Sequence, residues 1–213
     1  MREKKDKNEF ALRGKIVFFA TGNIHKFDEA RNILTKLDIA VGMLRVKGAE
    51  IQSDSLEEIA RAGVRDAFNK CSLPVVVEDA GFFIDALNGF PGPYAAYSYK
   101  TLGNKGLLKL MNNIGNRKAV FRSAVAYFDS ETDVPVVFEG EAKGEIVMTE
   151  LSRTGRSGFG FDPIFKPAGS GKTFAEMTLE EKNSFSHRAN AVRKFAEWYR
   201  KASNRQNSDE CCL

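Results

Sequence analysis

Ala119 to Phe128 and Val134 to Glu141 are two extended, apolar-rich segments separated only by a short polar turn. A connection that short cannot carry the chain back across a sheet, so the two segments must pair antiparallel. Gly144 to Thr149 reads as a further return, making a β-meander in the middle of the chain.

Upstream the pattern differs. Lys15 to Ala20 (KIVFFA) is a buried strand by its apolar run. A helix follows from about Lys26 to Leu37, with Phe27, Ala30, Ile33, Leu34 and Leu37 on one face. Ala40 to Val46 predicts a second strand. Ser55 can cap a helix from about Leu56 to Lys70, with Glu58 completing a capping box. Pro74 to Glu78 (PVVVE) is another buried strand, and Gly81 to Asp85 continues extended. Strands alternating with helices predict parallel pairing, so the sheet is expected to be mixed. A helix near Lys105 to Met111 precedes the meander. A final one runs from about His187 to Ala202, with Val192, Phe195, Trp198 and Tyr199 facing inward.

The fold class expected is therefore α/β, a mixed and partly antiparallel sheet flanked by helices, in two lobes with the active site in the cleft between them. Residues 1–14 read as a basic N-terminal tail, 15–202 as a single α/β domain and 203–213 as a C-terminal tail. No apolar run approaches the roughly 20 residues a membrane helix needs. The start, MREKKDKNEF, is charged where a secretory signal would be apolar. Three cysteines make an odd set, two of them adjacent at Cys211 and Cys212, which is no disulfide framework and points to a reducing cytoplasm. A net charge of +4, dispersed along the chain, gives no case for binding nucleic acid.

Three constellations could carry chemistry. Thr21 to Lys26 (TGNIHK) joins a buried strand to a helix, where open α/β sheets place ligands. Gly22 frees the backbone, Asn23 can cap the helix, N–H groups at the helix start can meet a phosphate, and Lys26 adds charge. Most turns of this kind are only turns. Glu78-Asp79, at the end of PVVVE, could hold Mg²⁺ or orient a water, with Glu50 as another ligand; surface acids would look the same. Gly158 to Arg188 opens GFGF, turns on Asp162-Pro163 and closes on Ser186-His187-Arg188. It offers a stacking face, backbone donors and cationic side chains, the parts needed to hold a planar base and a polyphosphate. Within it GSGKT (Gly169 to Thr173) mimics a phosphate loop, but Lys166 stands where the first glycine of that pattern belongs. One of Phe159 and Phe161 is expected in the core.

FFATGNIHKFDEA, VVVEDAGFFIDALNGFPGPY and GFGFDPIF…TFAEMTLEEKNSFSHR together resemble the inosine triphosphate pyrophosphatase family over about Lys15 to Tyr199. The resemblance implies hydrolysis of non-standard purine nucleoside triphosphates (ITP, dITP, XTP) to the monophosphate and pyrophosphate, with Mg²⁺, in a cytoplasmic homodimer. It puts the phosphate-binding turn on Thr21, Gly22, Asn23 and Lys26, and the catalytic, metal-binding aspartate on Asp79, with Glu50 as a second metal ligand. It puts the base pocket on Phe159, Gly160, Phe161 and Asp162 with Lys182, His187 and Arg188. The family's serine or threonine after the aspartate is here Ala80, and Arg65 is the nearest candidate for its lysine on the second helix. Phe159 is the ring expected to stack on the base. Lys26, Lys182 and Arg65 are expected to spread charge on the leaving pyrophosphate. A related pyrophosphatase with another base preference and a non-catalytic nucleotide sensor are the other readings.

Overall fold

The computed structural model describes residues 16–46, 51–152 and 158–210. The first half builds the parallel part of the sheet. Strand β1 (Ile16–Ala20) pairs in parallel with β2 (Ala40–Leu44) and with β3 (Val75–Ile84). Helices α1 (Ile24–Thr35) and α2 (Leu56–Cys71) form the crossovers. α2 starts at Ser55 as the sequence suggests, but its box is relayed. Glu58 N–H donates to the Ser55 hydroxyl, whereas the Glu58 carboxylate accepts from Ser53, whose oxygen in turn takes the Ser55 N–H.

The second half is antiparallel. β3 pairs with β5 (Lys118–Phe128) along ten positions, and β5 with β6 (Val136–Ile146). The sheet order is β2-β1-β3-β5-β6-β7, with the short β4 (Pro91–Gly92) on β3 and β7 (Phe165–Pro167) on β6. Glu78 and Asp79 are thus mid-strand residues, inside one unbroken β3 rather than at a strand end.

The expected break between Glu141 and Gly144 is also absent: β6 runs straight through, and the antiparallel return is made by β7. Two glycines of β6 answer to its neighbours. A Cβ at Gly140 would run into the His187 carbonyl, and one at Gly144 into the Lys166 carbonyl. Glycine at these points lets the last helix and β7 lie directly on β6. Helix α3 (Ala95–Leu110) begins well before the predicted Lys105 and is kinked at Gly103, where φ is 62°. A short helix α4 (Leu179–Phe185) precedes the last helix, α5 (His187–Glu210).

Strand alternation sorts the interior. Val76, Phe82 and Ile84 point to one face of β3; Val75, Val77 and Phe83 to the other. On the first face lie two apolar cores. One gathers Val17, Phe19, Val76, Val125 and Tyr127 under α1 and α5; the other gathers Phe82, Ile84, Phe121, Phe161, Phe165 and Phe174. On the second face α2 covers Val75, Ala124 and Ala126. The seam between the two cores of the first face falls at Glu78, and the chain fills that seam with charge.

Candidate active site

Glu78 follows Val76 on the face of α1 and α5 and is 6% exposed. Its Oε1 accepts from the Ser123 hydroxyl at 2.7 Å and lies 3.1 Å from Arg188 Nε; its Oε2 lies 2.9 Å from the Lys26 ammonium. Lys26 gives its hydrogen bond to the Glu78 carbonyl, so its hold on Oε2 is one of charge rather than of alignment. Arg188 reaches on to Glu29 Oε2 at 2.6 Å. Glu29 Oε1 takes the Lys182 ammonium at 2.7 Å, and Lys182 also meets Asp162 Oδ2 at 2.7 Å. Asp162 finally accepts the Phe159 N–H. Six charges alternate in one buried line, Asp162, Lys182, Glu29, Arg188, Glu78 and Lys26, from the GFGF loop to the TGNIHK turn.

Such a line balances its own charges, which is what makes it tolerable in a dry seam. Burial alone would raise the pKa of Glu29, but Arg188 and Lys182 outweigh it and hold that carboxyl at about 2. Burial is likewise outweighed at Glu78, by Arg188 and Lys26, leaving it at about 2. Asp162, at the end of the line, is pushed above the usual carboxylate range by burial against the pull of Lys182. Lys182 stays charged because Asp162 and Glu29 overcome its desolvation.

The two adjacent acids therefore part company. Glu78 is committed to the seam, while Asp79 points to the other face, with Val77 and Phe83, and is only half-buried. Of the two, Asp79 is the one whose position suits a divalent cation, which takes carboxylate oxygens at a solvent-reachable site. Glu50, the other expected ligand, lies outside the described residues, and among those described no group of three or more His, Cys, Asp or Glu is arranged to hold a metal.

At the TGNIHK turn Asn23 caps α1, its side chain accepting from the N–H groups of His25 and Lys26, and Thr21 Oγ1 accepts the Asn23 N–H. The cap thus occupies two of the donors that a phosphate was expected to use. Space beside Gly22 is open: apart from its chain neighbours, no atom of the described residues comes within 4 Å of where a Cβ would stand. Lys26, on the first turn, leans from this loop onto Glu78.

A cleft of about 490 Å³ opens beside the line of charges, lined by His25, Glu29, Phe159, Asp162, Met177 and Lys182, among others. Phe159 is half-buried in its wall, its ring 5.3 Å from that of His25. Phe161 is in the core, stacked on Phe82. Gly160, between them, adopts φ 57°. Lys182 is drawn to this cleft by Glu29 and Asp162, away from the phosphate-side role also expected of it. Gly169 to Lys172 form a surface turn whose Lys172 pairs with Glu181, while Thr173 is buried. Arg65 is not brought to the cluster: its guanidinium rests over the Phe128 ring, and Phe128 lies four ladder positions (~13 Å) from the partner of Asp79. Ala80 faces Ser123 across the ladder, whose hydroxyl is given to Glu78.

His187 was expected to be a cation and is not. Its ring stacks on Phe121 at 4.8 Å, 3% exposed, and burial, helped by the Arg188 charge, holds its pKa down at about 3. Nδ1 makes no hydrogen bond among the described residues. A neutral buried histidine has a pH signature. Below 6.5 the unfolded chain takes up a proton that the folded one refuses until about 3, so stability falls with pH across that window. Between pH 6.5 and 5 the wild-type protein should lose about 1.5 kcal/mol more than His187→Gln, read by denaturant unfolding at both pH values. Parallel losses in the two proteins would show that His187 titrates normally.

Glu29 is the residue that sequence reading missed. A glutamate flanking the apolar arc of an amphipathic helix signals a buried partner, but those partners are 153 and 159 positions away.

A model of the Ham1 family matches residues 17–198. The dITP/XTP pyrophosphatase of Methanopyrus kandleri is 52% identical over 184 residues, covering 86% of this chain and 96% of that protein. The dITP/XTP pyrophosphatase of Thermococcus kodakarensis is 47% identical over 180 residues, 84% of this chain and 95% of the relative. Among solved structures, the Ham1 protein of Staphylococcus aureus superposes with a TM-score of 0.74 at 26% identity, covering 88% of this chain and all of that one. With a family match over nearly the whole folded span and relatives this similar along their full lengths, the chain belongs to the Ham1 family.

Proposed function

We infer that this chain hydrolyses non-standard purine nucleoside triphosphates, ITP, dITP and XTP, at the α–β phosphoanhydride, releasing the monophosphate and pyrophosphate. The observation that carries the reading is the buried line of charges joining an aromatic-walled cleft at one end to the TGNIHK turn at the other. Relatives named dITP/XTP pyrophosphatase along almost their full length support the same activity.

The residues divide the work. Phe159 stacks on the base, and Lys182, Arg188 and backbone N–H groups near Phe161 present donors to a carbonyl at position 6. Adenine puts an amino donor there and would leave two donors facing each other, a mismatch that can discriminate by roughly 10⁴-fold. Lys26, Gly22 and the start of α1 take the phosphates. Asp79, with Glu50, would hold Mg²⁺, which when bound neutralises the phosphates and favours attack by water. Asp79 orients that water. We further propose a cytoplasmic homodimer, with Phe90, Tyr94 and Tyr97, the last 71% exposed, as its contact. Among the described residues no helix is long and apolar enough to cross a membrane.

The deciding measurement is pyrophosphate released from ITP, XTP, GTP and ATP with and without Mg²⁺. ITP and XTP should be favoured over ATP and GTP by about 10²-fold or more, and only with the metal. Equal rates with ATP would overturn the reading.

A further inference from the structure

Glu29 stands at the centre of the line of charges and in the wall of the cleft, and the roles above leave it unassigned. Its two oxygens are divided between two cations: Oε1 to Lys182 and Oε2 to Arg188, at 2.7 and 2.6 Å. Both cations are shut in, with side chains 8% and 3% exposed. Each has a second carboxylate on its outer side, Asp162 for Lys182 and Glu78 for Arg188. Glu29 is the only acid in the line that touches both, so it fixes their separation as well as their directions. It is also one helical turn from Lys26 on α1, which ties that separation to the phosphate turn through a rigid element.

We propose that Glu29 is a positioning residue for base selection: by gripping Lys182 and Arg188 together it fixes the donors that tell a 6-carbonyl purine from a 6-amino purine. This rests on the pyrophosphatase reading. The physical argument is that donors discriminate only when they cannot turn to suit the wrong base. Lys182 has a long flexible stem, and Arg188 can present several N–H groups. Without the Glu29 charge each keeps one carboxylate partner and gains freedom to reorient. The pocket also gains a net positive charge, which attracts any nucleotide phosphate whatever its base. The 6-carbonyl ligand should therefore lose affinity while the 6-amino ligand loses little.

The test is calorimetric binding of IMP and AMP, which differ in what they present at position 6 and involve no turnover. In Glu29→Gln the dissociation constant for IMP should rise about tenfold, with that for AMP changing by less than about threefold. Glu29→Asp keeps the charge but is one methylene shorter and cannot hold both cations as well; its preference should fall between those of wild type and Glu29→Gln. A variant that melts earlier yet keeps the IMP to AMP ratio within about twofold of wild type would reduce Glu29 to a structural role and overturn the proposal. Should Glu29→Gln fail to fold, Glu29→Asp decides by the same ratio. A wild-type protein that binds IMP and AMP equally would sink the reading of the cleft as the part that selects the base. Discrimination in wild type that survives in the variant sinks only the role of Glu29.

Discussion

Asp79→Asn is expected to lower pyrophosphate release from ITP by about 10³-fold or more while leaving the protein folded. The substitution keeps the shape of the side chain and removes its charge. In β3 Asp79 turns to the α2 face, half-buried, away from the ion line that fills the seam on the other side. Its charge lies outside the ion line that fills the seam, so the substitution should leave that line intact and the protein folded. A cation bound through carboxylate oxygens, or a water held by one, responds directly to the missing charge. The two readouts should therefore separate: turnover collapses and the melting temperature barely moves. Retention of more than a tenth of wild-type turnover would remove Asp79 from the chemistry.

How far the sequence reveals this arrangement depends on how local each cause is. The parallel strands and α1 and α2 follow from apolar periodicity, because each buries its own pattern. The antiparallel β5–β6 pair follows from a turn too short for a crossover. A return after Glu141 is what the sequence suggests, whereas β6 runs through it, and the small size of Gly140 and Gly144 answers to α5 and β7, segments far along the chain. α4 was missed although its signal is local. Thr178 and Glu181 form a full capping box, as do Thr173 and Glu176 just before it. At the site, the GFGF loop, the TGNIHK turn and the His-Arg pair are all legible as unusual residues in unusual places. What they are bonded to is not. Lys182 and Arg188 read as donors waiting for a ligand because nothing nearby in sequence shows that Glu29 and Glu78 already hold them. The neutrality of His187 is equally invisible, since it comes from burial against Phe121.

Glu78→Gln should show the reverse of the Asp79 result. Glu78 is fully buried, and its carboxylate is shared by Ser123, Arg188 and Lys26. Glutamine keeps the shape but leaves Arg188 and Lys26 short of a negative charge in a dry seam, and breaking a buried pair in this way costs about 3–5 kcal/mol. In a chain of this size that corresponds to a fall in melting temperature of about 10 °C. The effect should depend on pH with a definite sign. The Glu78 carboxyl titrates at about 2 when folded against 4.5 as its ordinary value. Its contribution is thus fully present above pH 4.5 and is lost as pH falls toward 2. The stability gap between wild type and variant should be full at pH 7 and about 1 kcal/mol smaller at pH 3.5. A gap that stays constant over this range would mean that the Glu78 charge does not carry the effect. If Glu78→Gln instead abolished turnover without moving the melting temperature, the two adjacent acids would have exchanged roles. The division of β3 between a structural face and a chemical one would then be wrong.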